Sequence, residues 1–163
     1  MDHDLYSSSD AMLTPAALST LAGRPITSVR RRPFDTEGFS GSALERIETD
    51  GSLGPAFILK QISAERDWVM RGTGDLQGRE VRVWQLGLLD RLPPDLGHAV
   101  VACATDGAGW AVLMHDIGRA LLPPGDGIIG IPVQARILDA LAALHAAFWE
   151  WQDAAEPDYG LCD

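Results

Sequence analysis

AFILKQI, residues 56–62, is an apolar run with one ammonium group inside it. Lys60 is also the only lysine among the 13 lysines and arginines of the chain. An ammonium left unpaired in a half-buried strand carries a heavy desolvation penalty or gives up its proton. Lys60 therefore calls for an anionic partner. A composition rich in alanine, glycine and arginine points to a GC-rich, bacterial coding sequence, in which a retained lysine is the more informative.

Just before this run, residues 43–48 (ALERIE) alternate apolar and polar side chains, and residues 49–55 (TDGSLGP) are turn-forming, so 43–62 reads as a β-hairpin. Gly38 and Gly41 mark a turn ahead of it, and residues 26–34 (ITSVRRRPF) alternate enough to form a strand. Residues 14–25 (TPAALSTLAGRP) predict a short helix capped by Thr14, with Pro15 in its first turn and Gly23 and Pro25 at its end. Residues 1–12 read as a loose polar tail.

On the other side of the run, residues 63–75 read as a loop. Val83, Leu86 and Leu89 lie at helical spacing, which predicts one helix over 76–92, ended by Pro93 and Pro94. Residues 99–106 and 110–117 read as a second hairpin. Residues 119–131 read as a linker, and a helix opened by Pro132 runs over 132–152. The order predicts an α+β fold: a five-stranded antiparallel sheet with one helix inserted between its third and fourth strands. The chain divides into a tail and short helix (1–25), a sheet-bearing lobe (26–118), a linker (119–131) and a final helical segment (132–163).

With 163 residues and 46% hydrophobic content, the chain suffices for one domain, or for one small lobe and part of another. A net charge of −10 disfavours nucleic acid as a partner, and Arg30-Arg31-Arg32 is too short a basic cluster to reverse that. There is no membrane-length apolar run, and the acidic N-terminal stretch lacks the features of a signal peptide, so a cytoplasmic protein is expected. Cys103 and Cys162 have neither CxxC spacing nor a histidine cluster beside them, and Cys103 reads as a buried small apolar residue. Gly125, Gly127 and Gly130 fit G-x-G-x-x-G only in letters. A dinucleotide turn passes directly from strand to helix, whereas this segment is flanked by Pro123-Pro124 and Ile131-Pro132 and reads as linker. No G-x-x-x-x-G-K-[ST] is present.

Glu80, early in the helix that follows the lysine strand, is the natural partner for Lys60. A strand, a glycine turn, a strand with lysine and a helix with glutamate together form the arrangement by which kinases hold ATP phosphates. FILK at 57–60 is similar to V-A-I-K, GREVRVWQLGLL at 78–89 to an E-x-x-x-x-x-L helix, WAVLMHDIG at 110–118 to an apolar strand running into a hinge, and LAALHAAFW at 141–149 to an L-A-x-L-H-A-x-F-W helix. Over residues 26–160 the chain thus resembles the N-terminal lobe, with the start of the C-terminal lobe, of the aminoglycoside phosphotransferase and choline kinase-like family, which has the protein kinase-like fold.

The resemblance implies a lobe that binds ATP, whose γ-phosphate goes to a hydroxyl of a small metabolite or antibiotic. It assigns Lys60 to the α and β phosphates, Glu80 to Lys60, and the backbone of Phe39, Ser40, Gly41 and Ser42 to the phosphate cover. It gives the adenine edge to the His115 carbonyl and the Ile117 amide. Here the glycine turn is only G-x-x-G-S, and His115 stands where the family usually has an acidic residue. Asp116 is expected to cap or to form a salt bridge, and His145 to pack with Leu138, Leu141 and Phe148. The family's H-G-D, its following asparagine and its D-x-D segment have no match, so no catalytic or metal-binding residue is assigned, and Mg²⁺ is expected only with a second lobe. A fragment or shortened product, inactive alone, is expected. Ile137, Leu141, Leu144, Phe148 and Trp149 or Trp151 would then form an exposed stripe open to self-association. The alternative is a non-catalytic nucleotide-sensing or protein-interaction module with a degenerate kinase-like fold, and weaker still is an α+β domain without a nucleotide site.

Overall fold

The computed structural model describes residues 3–34, 40–120, 128–151 and 161. In chain order the elements are α1 (Ser9–Met12), α2 (Pro15–Ala22), β1 (Val29–Pro33), β2 (Ala43–Thr49), β3 (Phe57–Ile62), α3 (Trp68–Gly72), α4 (Arg79–Gln85), β4 (Val100–Asp106), β5 (Gly109–His115) and α5 (Ile131–Ala147). The strands form one sheet in the order β1-β2-β3-β5-β4, antiparallel throughout. The second hairpin enters along the outer edge as β4 and returns as β5 against β3. That return places Val112 beside Lys60.

Alternation along the strands separates two cores. On one face Ile47, Phe57, Leu59 and Leu113 pack with Met12 and Leu18 from α1 and α2. On the other, Ile62, Cys103 and Val112 pack with Met70, Val81 and Trp84 from α3 and α4. Cys103 is fully buried. Burial, followed by the nearby Glu80 carboxylate, pushes its thiol up to about 12, which keeps it protonated and unreactive at neutral pH.

Three expectations about the N-terminal segment and the stretch between β3 and β4 need correction. Of the segment read as a loose tail, the described residues 3–12 are ordered. Ser8 caps α1 by accepting the Ala11 amide, Met12 is fully buried, and the Tyr6 amide donates to the Cys103 carbonyl at 3.0 Å in a parallel bridge along the free edge of β4. Asp106 ties α1 to the sheet, since its two oxygens accept from Ser9 Oγ at 2.7 Å and Gln61 Nε2 at 2.6 Å. Second, the stretch read as a loop contains α3, so two helices rather than one separate β3 from β4. Third, the helix predicted over 76–92 is only α4 followed by a 3-10 turn at Leu89–Arg91, because Gly87 adopts a φ of 63° and breaks it.

The last helix starts at Ile131 and ends at Ala147, earlier than expected, and none of its residues is buried. His145, expected to pack, is exposed. Among the described residues no helix is long and apolar enough to cross a membrane.

Because Met12 lies inside the core, Met12→Ala is expected to destabilise the chain by about 2–5 kcal/mol in urea denaturation. A loose tail would leave the midpoint where it is.

Candidate functional site

Lys60 stands in the middle of β3, opposite Leu44 on one side and Val112 on the other. Its Nζ donates to Glu80 Oε2 at 2.6 Å, with the two side chains 29% and 37% exposed. An ion pair this open to water adds only about 0.2–1 kcal/mol to stability. What it does is orient the ammonium.

Glu80 reaches Lys60 because of how α4 begins and packs. The Asp75 carboxylate accepts from the Arg79 amide at 3.0 and 3.1 Å, at the first residue of the helix. Gly78 precedes it at φ 67°, and a β-carbon there would lie 2.9 Å from the Trp110 ring. Only glycine fits both the backbone and the space. Val81 and Trp84 then anchor the helix in the core, and Glu80 is left facing the sheet.

The register puts Leu44, Ile58, Lys60, Val112 and Met114 on one face of the sheet. Val112 is covered by the α3 and α4 core, while Leu44, Ile58 and Met114 are half-buried. Lys60 therefore projects from a partly open apolar surface. At the end of β5 the same face meets an open cleft of about 700 Å³ lined by Arg46, Ala56, Asp116, Ile117, Gly118 and Arg119. Asp116 binds Arg46 Nη2 at 2.7 Å and accepts the Gly118 amide at 3.0 Å. Among the described residues the Ile117 amide donates to no acceptor. The His115 ring stacks on Phe57 at 5.6 Å, on the face opposite Lys60.

The described part of the glycine turn, Ser40 to Ser42, lies against the start of α3. Gly41 has a φ of 94°, and a β-carbon on it would come within 2.3 Å of the Arg66 carbonyl oxygen. The Trp68 amide donates to the Ser40 carbonyl at 3.1 Å, and Ser42 Oγ donates to Asp67 Oδ2 at 3.1 Å. Asp67 Oδ1 accepts the Val69 and Met70 amides at 2.8 and 3.2 Å. Burial works against this carboxylate, but the Met70 amide, the Ser42 hydroxyl, the Val69 amide and the Ser40 hydroxyl outweigh it and hold its pKa below the ordinary value.

The structure thus brings Lys60 and Glu80 together, sets Ile117 past the Phe57 end of β3, and places Ser40, Gly41 and Ser42 beyond Lys60 at its Ile62 end. Phe39 lies outside the described residues. Asp116 forms the salt bridge expected of it, but Arg46 as its partner and the role of Asp67 were not found from sequence. A signal for Asp67 did exist, in an acidic residue followed by the apolar Trp68-Val69-Met70. Among the described residues no group of three or more metal-ligating side chains occurs. No protein-family model, curated protein or solved structure matches this chain.

Removing the Asp67 carboxylate gives a pH-dependent loss. Its folded pKa lies below the unfolded one, so its contribution is complete above about pH 4 and fades as pH falls through the folded value. Asp67→Ala is expected to be less stable than wild type at neutral pH, with the gap narrowing in denaturation curves taken below pH 4. A gap constant down to acid would take the charge out of the argument.

Proposed function

We infer that the chain is the ATP-binding lobe of a small-molecule kinase of the aminoglycoside phosphotransferase-like kind, serving transfer of the ATP γ-phosphate to a hydroxyl of a metabolite or antibiotic. The observation that carries this reading is the Lys60–Glu80 pair, joining strand to helix on a partly open apolar face. A surface pair contributes too little to stability to account for the sole lysine of the chain, whereas a fixed ammonium suits a polyphosphate.

The apolar patch of Leu44, Ile58 and Met114 offers a planar base something to stack against, and the unengaged Ile117 amide offers a donor to its edge. On this reading the His115 carbonyl is the paired acceptor, and the backbone of Ser40, Gly41 and Ser42 covers phosphate. Bound ATP would supply the transferable phosphoryl group. The 163 residues contain no H-x-D triplet, so the groups that activate the acceptor and hold Mg²⁺ are assigned to no residue of this chain.

A second reading, a non-catalytic nucleotide-sensing or interaction module, is favoured by α5. Ile137, Leu138, Leu141 and Trp149 are all exposed along and just beyond it. Self-association through that stripe would cover them. On this reading the chain sediments as a concentration-dependent dimer and Leu141→Glu returns it to monomer. Monomeric wild type at high concentration would count against it.

For the nucleotide site, ATP with Mg²⁺ is expected to raise the melting temperature of wild type and to leave Lys60→Ala unmoved, with Glu80→Gln between the two. Equal shifts in wild type and Lys60→Ala would remove the assignment. Purified chain is expected to show no phosphotransferase activity by itself.

A further inference from the structure

The glycine turn is held by a group that plays no part in the Lys60 pair. Asp67 is 5% exposed, and it stands 25 residues from Ser42, to which it is hydrogen bonded. One oxygen caps α3 and the other receives the Ser42 hydroxyl. Ser42 Oγ lies 3.0 Å from Ser40 Oγ, and the Ser40 carbonyl accepts from the Trp68 amide. With Gly41 pressed on the Arg66 carbonyl, three consecutive residues of the turn are fixed to the segment joining β3 to α3. Ser42 is two residues from Leu44, the cross-strand partner of Lys60. The fixed turn therefore stands at the Lys60 end of the apolar surface.

We propose that Asp67 is a positioning residue for phosphate binding, holding the Ser40–Ser42 turn in place through the Ser42 hydroxyl so that a polyphosphate on Lys60 meets a turn already ordered. The proposal rests on the nucleotide reading of the Lys60 surface and adds to it what sets the phosphate cover. Ordering a flexible turn at the moment of binding subtracts from affinity, and a turn ordered beforehand avoids that loss. The gain falls on the phosphates alone, because the base and sugar lie toward the hinge.

The test uses Asp67→Ser, since serine still caps α3 but is too short to reach Ser42. Binding of ATP and of adenosine is measured by calorimetry for wild type, Asp67→Ser, Ser42→Ala and the double variant, with Lys60→Ala as control. Asp67→Ser is expected to weaken ATP about tenfold and leave adenosine unchanged, a phosphate-selective loss that a merely structural role would not produce. Ser42→Ala in the Asp67→Ser background is expected to add little, because both changes break one contact. Ser42→Thr, which keeps the hydroxyl, is expected to retain wild-type ATP affinity. If Lys60→Ala loses ATP but Asp67→Ser keeps the wild-type preference for ATP over adenosine, the positioning role is overturned and the site stands. If wild type does not prefer ATP, or Lys60→Ala binds it as well as wild type, both fall together.

Discussion

A charged lysine in the middle of a sheet has to be answered by an anion on the same face, and much of this structure follows from that requirement. Here Glu80 answers from α4, a helix packed on the same face of the sheet. Such a helix needs an apolar bed, which Cys103, Val112 and Ile62 provide, and a start that turns its first residues toward the sheet. The strand order supplies the bed, because β5 returns between β3 and β4 and sets Val112 beside Lys60. Asp75 and Gly78 supply the start. The pair itself stabilises little, so the surrounding packing serves its geometry more than it serves the packing.

The two faces of the sheet are treated differently. One is closed by α1 and α2, with Asp106 bridging Ser9 and Gln61 and with Arg31 forked onto Glu45 at 2.6 and 2.8 Å. That hydrogen-bonded fork holds the Glu45 carboxyl below its usual range. The other face is covered only over the α3 and α4 core, and Leu44, Ile58 and Met114 remain half-buried. A rigid backing behind a partly open face is what a binding surface needs, since side chains there keep their places without a ligand to order them.

The strands were legible in the sequence because their pattern needs few residues: alternation in 43–48 and the apolar runs around Phe57, Val100 and Val112 locate them to within about three residues. The Lys60–Glu80 pair was legible for the same reason, one cation in an apolar strand and the first acidic residue of the helix predicted over 76–92. Helices of four or five residues are too short to show a period, so α1 and α3 could be recognised only from their caps, Ser8 and Asp67. The overlong helix had the opposite cause. Leu86 and Leu89 continue the apolar spacing past Gly87, where the backbone does not follow. Arg46 and Asp116 lie 70 positions apart, and no local pattern joins them. Their meeting depends on the β2-β3-β5 register, which becomes visible only in the folded sheet.

A net charge of −10 disfavours a polyphosphate overall, but the sign of the whole is a weak guide to one face. Charges farther apart than about 8–10 Å are largely screened at ordinary ionic strength, so a bound anion senses mainly its neighbours. Register places Arg30, Arg32 and Arg46 on the Lys60 side of the sheet and turns Arg31 to the opposite side, toward Asp10. Arg32 and Arg46 stand directly across from one another, a repulsive arrangement in a sheet. Each is relieved by its own carboxylate, Glu48 at 2.9 Å and Asp116 at 2.7 Å. Glu48, Asp116 and Glu80 are thus committed to Arg32, Arg46 and Lys60, each neutralising a cation without displacing it. An arriving anion would meet cations held in place by short contacts, and their fixed positions matter more to it than the charge of the whole chain.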